Sequence, residues 1–161
     1  MKLLLEKPGV DPNIKDNNGD TALLQAAYLG RTEIVKLLLD KPGVDPNIKN
    51  NNGDTALSRA AYEKHTEIMK LLLEKPGVDP NIKDNNGDTA LLQAAYLGRT
   101  EIVKLLLEMP GVELSSKNND DETPLALALR KGHTKIAELL NEHISFRSLS
   151  VGPFNEPDAP N

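Results

Sequence analysis

Apolar positions along this chain recur in a block of 34 residues, and each block reads as a polar turn followed by two short amphipathic helices. In the block starting at Asp16, Ala22, Leu23, Ala26 and Ala27 line one face of a first helix over residues 22–29. Their small side chains allow neighbouring helices to approach closely. Gly30 ends that helix, and Thr32 stands where it could cap a second one, with Glu33 suited to the positive helix end. Ile34, Val35, Leu37, Leu38 and Leu39 form the buried stripe of the second helix, which Pro42-Gly43 stops. Asp45-Pro46-Asn47-Ile48 leads into the next turn. In Asp16-Asn17-Asn18-Gly19-Asp20, the Asn18-Gly19 pair predicts a type I′ hairpin tip with two positive-φ residues.

The repetition is closer than a shared pattern. Residues 1–39 recur without substitution at 69–107, an offset of 68, which is twice 34. A fixed period of this size indicates a solenoid, in which each unit buries its apolar face only against its neighbours. The chain divides into a partial leading unit at 1–15, units at 16–49, 50–83 and 84–117, a terminal capping unit at 118–143 and a tail at 144–161. Met1 aligns with Met69, which lies in mid-helix, so residues 1–15 read as the back half of a unit within a longer repeat protein. The bare apolar side that this leaves is expected to drive end-to-end self-association. In the tail, Ile144, Phe146 and Leu149 are expected to fold back over the last unit, with residues beyond about 155 mobile.

Gly19-Asp20-Thr21-Ala22-Leu23, Ala26-Ala27, Gly30 and Glu33-Ile34-Val35-Lys36-Leu37-Leu38-Leu39 closely resemble the ankyrin repeat consensus, and the match recurs at 53–73, at 87–107 and more loosely at 123–140. Two departures stand out. The usual histidine after Thr-Pro-Leu is Leu24, Ser58, Leu92 or Ala126, and a Pro-Gly-Val-Asp-Pro-Asn loop lengthens the period from 33 to 34. The resemblance implies an all-α repeat fold, an ankyrin-like solenoid of a β-hairpin turn and two antiparallel helices per repeat. It further implies a concave face, built from tips and first helices, that binds another protein. Carried over by position, the contact residues are Asn17, Asn18, Asp20, Tyr28 and Leu29; Asn51, Asn52, Asp54, Tyr62 and Glu63; Asn85, Asn86, Asp88, Tyr96 and Leu97; and Asn119, Asp120, Glu122, Arg130 and Lys131. Tyr28, Tyr62 and Tyr96 should form a file about 10 Å apart at ordinary helix spacing, beside an acidic row of Asp20, Asp54, Asp88 and Glu122. A partner with basic and apolar groups suits such a strip. The competing reading is that duplication copied one ancestral tyrosine, each copy half exposed against the next tip.

Composition narrows the rest. A formal net charge of −5 with mixed signs lacks the clustered cations that bind nucleic acid. There is no cysteine, which removes disulfides and thiolate metal sites. No apolar run is long enough to span a bilayer, and a soluble chain in the cytoplasm of the producing or a host cell is expected. His65 and His133 occupy equivalent turns two units apart, too far to share a metal ion. Asp16, Asn18 and Asp20 imitate a calcium loop whose glycine and terminal glutamate positions hold Thr21 and Ala27. Asp120-Asp121-Glu122 reads as a solvated acidic tip, and there is no phosphate-cradling loop or nucleophile elbow. The expectation is a non-catalytic interaction module without a cofactor or metal. The alternatives are the targeting arm of a larger enzyme or host-directed effector, and a passive spacer.

Overall fold

A computed structural model describes residues 9–150 of the 161-residue chain. Its helices come in pairs: α1 (Ala22–Tyr28) and α2 (Thr32–Leu39), α3 (Ala56–Tyr62) and α4 (Thr66–Glu74), α5 (Ala90–Leu97) and α6 (Thr100–Leu107), α7 (Pro124–Arg130) and α8 (Thr134–Ser150). First helices stack on first helices and second helices on second helices, so contact runs from each unit to the next. The fold is the expected ankyrin-like solenoid. Residues 1–8, and with them most of the leading half unit, lie outside the described part, as do residues 151–161.

Each helix pair follows from local chemistry. Thr21, Thr55, Thr89 and Thr123 cap the first helices, each hydroxyl accepting from the backbone N–H three residues on. Thr32 does not cap the second helix; it is the first helical residue, and the preceding Arg31 makes no side-chain cap. The threonine that breaks ahead of an alanine-rich run caps, whereas the one after the tight inter-helix turn is already inside. Ser58, standing where the family carries histidine, closes a reciprocal box with Thr55 in the second unit. Ala27, Ala61 and Ala95 have no exposed surface at all, because the next first helix packs directly on them. Val35, Leu38, Met69, Leu72, Val103 and Leu106 form the continuous seam between second helices.

The tips differ from the expected geometry. Among the described residues there is no strand, and Gly19 is left-handed (φ 78°) while Asn18 is not among the positive-φ residues. Gly19 N–H donates to the Asp16 carbonyl, and Asp16 N–H to the Asp20 carbonyl. Asp16 Oδ1 accepts from the backbone N–H of both Asn18 and Asp20, so an Asx turn keeps Asn18 out of the left-handed region and only the glycine enters it. Space also demands that glycine: a Cβ on Gly19 would sit 2.6 Å from Asn51 Oδ1, and one on Gly87 2.6 Å from Asn119 Oδ1. In the last unit Asp121 takes the same left-handed conformation (φ 63°). No further tip is described beyond it to collide with a side chain.

Asparagine amides stitch one unit to the next. Asn51 donates its backbone N–H to the Asn18 carbonyl and its side chain to the Asn17 carbonyl, a pattern that Asn85 and Asn119 repeat. The lengthened loop carries a second ladder. Asn13, Asn47 and Asn81 each donate to a glycine carbonyl in the following loop and accept the N–H two residues beyond that glycine. The lengthened loop therefore carries its own set of bonds between units.

The tail differs too. No Pro-Gly pair follows Leu139-Leu140, so α8 runs unbroken to Ser150 where its predecessors stop after eight or nine residues. Arg147 on this extension donates to the Val112 carbonyl at 2.6 Å. Ile144 packs against the core, but Phe146 and Leu149 stay 73% and 81% exposed. They do not fold back over the last unit, because a continuous helix fixes their direction outward.

Replacing Asn81 by alanine removes a donor and an acceptor of the loop ladder and should lower unfolding free energy by about 1–3 kcal/mol. The exposed Asn86 side chain serves as control, with a change under about 0.5 kcal/mol on truncation. Lys64 is left-handed (φ 63°) where other units carry glycine, so Lys64→Gly should stabilise by about 1 kcal/mol. Chemical denaturation of the three variants checks both.

Candidate functional site

The face made by the tips and first helices holds the tyrosine file. Tyr28 and Tyr62 end α1 and α3, Tyr96 stands one residue before the end of α5, and the three are 45%, 49% and 43% exposed. Their backbone carbonyls, freed at the helix ends, are taken up by the next unit. His65 Nε2 lies 3.1 Å from the Tyr28 carbonyl and His133 Nε2 3.1 Å from that of Tyr96, while Arg99 donates to the Tyr62 carbonyl at 3.2 Å. His65 and His133 thus act as struts between units. Gly30 and Gly98 make room for them, since a Cβ at either would come within 2.7 Å of the imidazole. Where Lys64 replaces that glycine, Arg99 replaces the histidine.

The rings themselves meet three different environments. The Arg59 guanidinium lies over Tyr28, 5.2 Å from its centroid, and the Lys131 ammonium over Tyr96 at 4.1 Å. Among the described residues no cation lies over Tyr62. The residue in the next unit at the position of Arg59 is Gln93, and at the position of Lys131 it is Leu97.

The acidic row is not uniform either. Asp20 accepts from Asn50 at 2.8 Å, Asp54 pairs with Arg59 at 2.9 Å, and Glu122 holds Arg130 through two bonds of 2.7 and 3.0 Å. Asp88 lacks a cation, and its Oδ1 is buried without a hydrogen-bond partner. Burial pushes the Asp54 carboxyl above its ordinary value despite Arg59, and neighbouring Asp84 adds to the rise. Burial likewise raises Asp88, with Asp84, Asp120 and Glu122 contributing and Asn118 opposing.

Of the other expected contact residues, Asn17, Asn18, Asn52, Asn86 and Asp120 are exposed at the tips, and Leu29 is exposed at the end of α1. Glu63 and Leu97 are half-buried. Asn51, Asn85 and Asn119 spend their amides on the preceding tip, which gives them a structural task. Two residues missed by pattern reading shape the face. Arg59 reaches both Tyr28 and Asp54, and Gln93 donates to Asp84 Oδ2 at 3.0 Å. The signal was present in the alternation of Gln25, Arg59 and Gln93 at one helical position, matched by Asp16, Asn50 and Asp84 at the start of each turn. Between the second and third units these groups wall a cavity of about 330 Å³, and a second, of about 480 Å³, lies between the first and second on the other side of Arg59.

No group of three or more metal-ligating side chains occurs among the described residues, and no described helix is long and apolar enough to cross a membrane. A scan against protein families matches the family described as Ankyrin repeats (3 copies) over residues 1–84 and 76–148, and the chain belongs to that family. Ankyrin repeats are in general protein-protein interaction modules, typically without catalytic activity. Comparison with curated proteins finds no match.

The raised Asp88 carboxyl fixes a sign for pH dependence. The folded chain holds this proton more tightly than the unfolded chain, so the group's contribution is most favourable below the unfolded value. It is lost as pH rises through the raised folded value. Relative to Asp88→Asn, the parent chain should lose stability as pH rises from the ordinary carboxylate range, then level off. Paired denaturation curves between about pH 4 and 7 check this, and an opposite slope would refute the burial argument.

Proposed function

We propose that this chain is a non-catalytic module that binds a partner protein on the strip formed by its tips and first helices. The observation that carries the reading is the file of three tyrosines, each close to half exposed on a face otherwise fixed by hydrogen bonds between units. Tyrosine combines a large rigid ring with a hydroxyl and loses little conformational entropy when it is buried. Here the backbone beneath each ring is anchored by a residue of the next unit, so the rings are held ready for a partner at low ordering cost. In the acidic row beside them, Asp54 and Glu122 are already paired with Arg59 and Arg130, and it is Asp20 and Asp88 that favour a partner with basic and apolar groups. The exposed tip side chains Asn18, Asn52, Asn86 and Asp120 supply adaptable polar contacts at the rim.

Capture from cell lysate tests the strip. The parent chain is run beside a variant carrying Tyr28→Ala, Tyr62→Ala and Tyr96→Ala, with circular dichroism to establish that helicity is unchanged. The expected result is a protein retained by the parent and lost from the variant, since truncating central aromatic anchors costs about 2 kcal/mol or more each. Equal capture would show that the tyrosines are inherited copies without a binding role, as a passive spacer or the targeting arm of a larger enzyme or effector would allow.

A further inference from the structure

Tyr28 and Tyr96 have sequence-identical surroundings on their own units, yet each ring carries a cation supplied from a different position of the following unit. Tyr62 is the exception. Gln93 stands where Arg59 would be and turns to Asp84, and Leu97 stands where Lys131 would be. The ring is the most exposed of the three, at 49%.

The missing cation leaves a charge imbalance. The cavity of about 330 Å³ beside Tyr62 is walled by Asp54, Asp84, Arg59 and Gln93. Two carboxylates face one guanidinium there, so the wall keeps one uncompensated negative charge. Asp84 Oδ2 accepts only the neutral Gln93 amide, and Gln93 Oε1 is a buried acceptor with no donor. The site therefore offers an aromatic face and a carboxylate together, each suited to an N–H-bearing cation, while the Gln93 carbonyl lies beneath the surface.

We propose that this cavity is a subsite for one basic side chain of the partner, an arginine or lysine that stacks on Tyr62 and pairs with Asp84 beside Gln93. It takes the place over Tyr62 that Arg59 and Lys131 take over the neighbouring rings. The chain thus satisfies two of its tyrosines internally and leaves the central one for a ligand. This rests on the reading of the strip as a protein-binding surface, and it specifies what the partner must present at its centre.

The test uses N-acetyl-arginine amide as probe, and N-acetyl-norleucine amide as its uncharged counterpart, in an NMR titration of the full chain. Saturable shifts are expected at the Tyr62 ring and the Gln93 side-chain amide for the arginine probe, with none for the norleucine probe. Gln93→Arg supplies the missing cation from within and should weaken probe binding about tenfold. Tyr62→Leu, at an exposed position, should do the same without altering the fold. Equal shifts at all three tyrosine rings, or undiminished binding to Gln93→Arg, would overturn the subsite. The probe reads the cavity without any partner, so failure of lysate capture with intact probe binding would remove only the wider reading. Capture of a protein without probe binding would remove only this one.

Discussion

The structure depends on how each unit is bonded to its neighbour. A single unit, two helices of seven to nine residues and a turn, cannot bury its own apolar surface. Burial arises when first helices meet through Ala27, Ala61 and Ala95, and that approach is close enough that the tips nearly touch. The tip glycines remove the atom that would collide, and the asparagines convert the near contact into paired hydrogen bonds. Spacing, register and tip geometry are thus one constraint: lengthening the distance between units would break the asparagine bonds and open the alanine seam together.

Much of this is legible in the sequence because a period repeated along the chain averages out local ambiguity. Alanine and leucine spacing locates all four helix pairs, and Pro-Gly stops all but the last of the second helices. What escaped the pattern has a physical reason in each case. Asn18-Gly19 is compatible with a type I′ turn, but the Asp16 carboxylate captures two backbone N–H groups and stabilises a turn in which only glycine is left-handed. The outward course of Phe146 was hidden because the apolar character of Ile144, Phe146 and Leu149 says what they would gain by burial, whereas helix continuity decides where they point. The structural role of the loop asparagines is invisible in the local pattern, because their bonding partners lie about 30 residues away.

The offset of 68 also has a structural meaning. Junctions alternate: Gly30 meets His65 and Gly98 meets His133, whereas for the unit bearing Lys64 the bond is made by Arg99 to the Tyr62 carbonyl. A left-handed lysine and a flexible arginine occupy one kind of junction, a glycine and a compact imidazole the other. The substitutions come as matched pairs across an interface, so the smallest unit that repeats both sequence and interface is a pair of helix pairs. Electrostatics alternate with the same period. Gln25 and Gln93 bond the first aspartate of their own turn, while Arg59 pairs with the last aspartate of its turn, Asp54, and reaches across the junction to Tyr28.

This alternation bears on whether the tyrosines are more than copies. Duplication explains why the same residue recurs at the same helix end, and it would have placed equal rings in equal surroundings had the units been identical. The surroundings are unequal, because a residue's environment in a solenoid is completed by the following unit. Tyr28 is followed by a unit bearing Arg59, Tyr62 by one bearing Gln93, and Tyr96 by one bearing Lys131. A surface assembled from near-identical blocks thereby acquires three chemically distinct positions, with a neutral and acidic one between two cationic ones. Specificity in such an array lies in the order of its junctions, and a partner that read only the repeated residues could not tell one unit from the next.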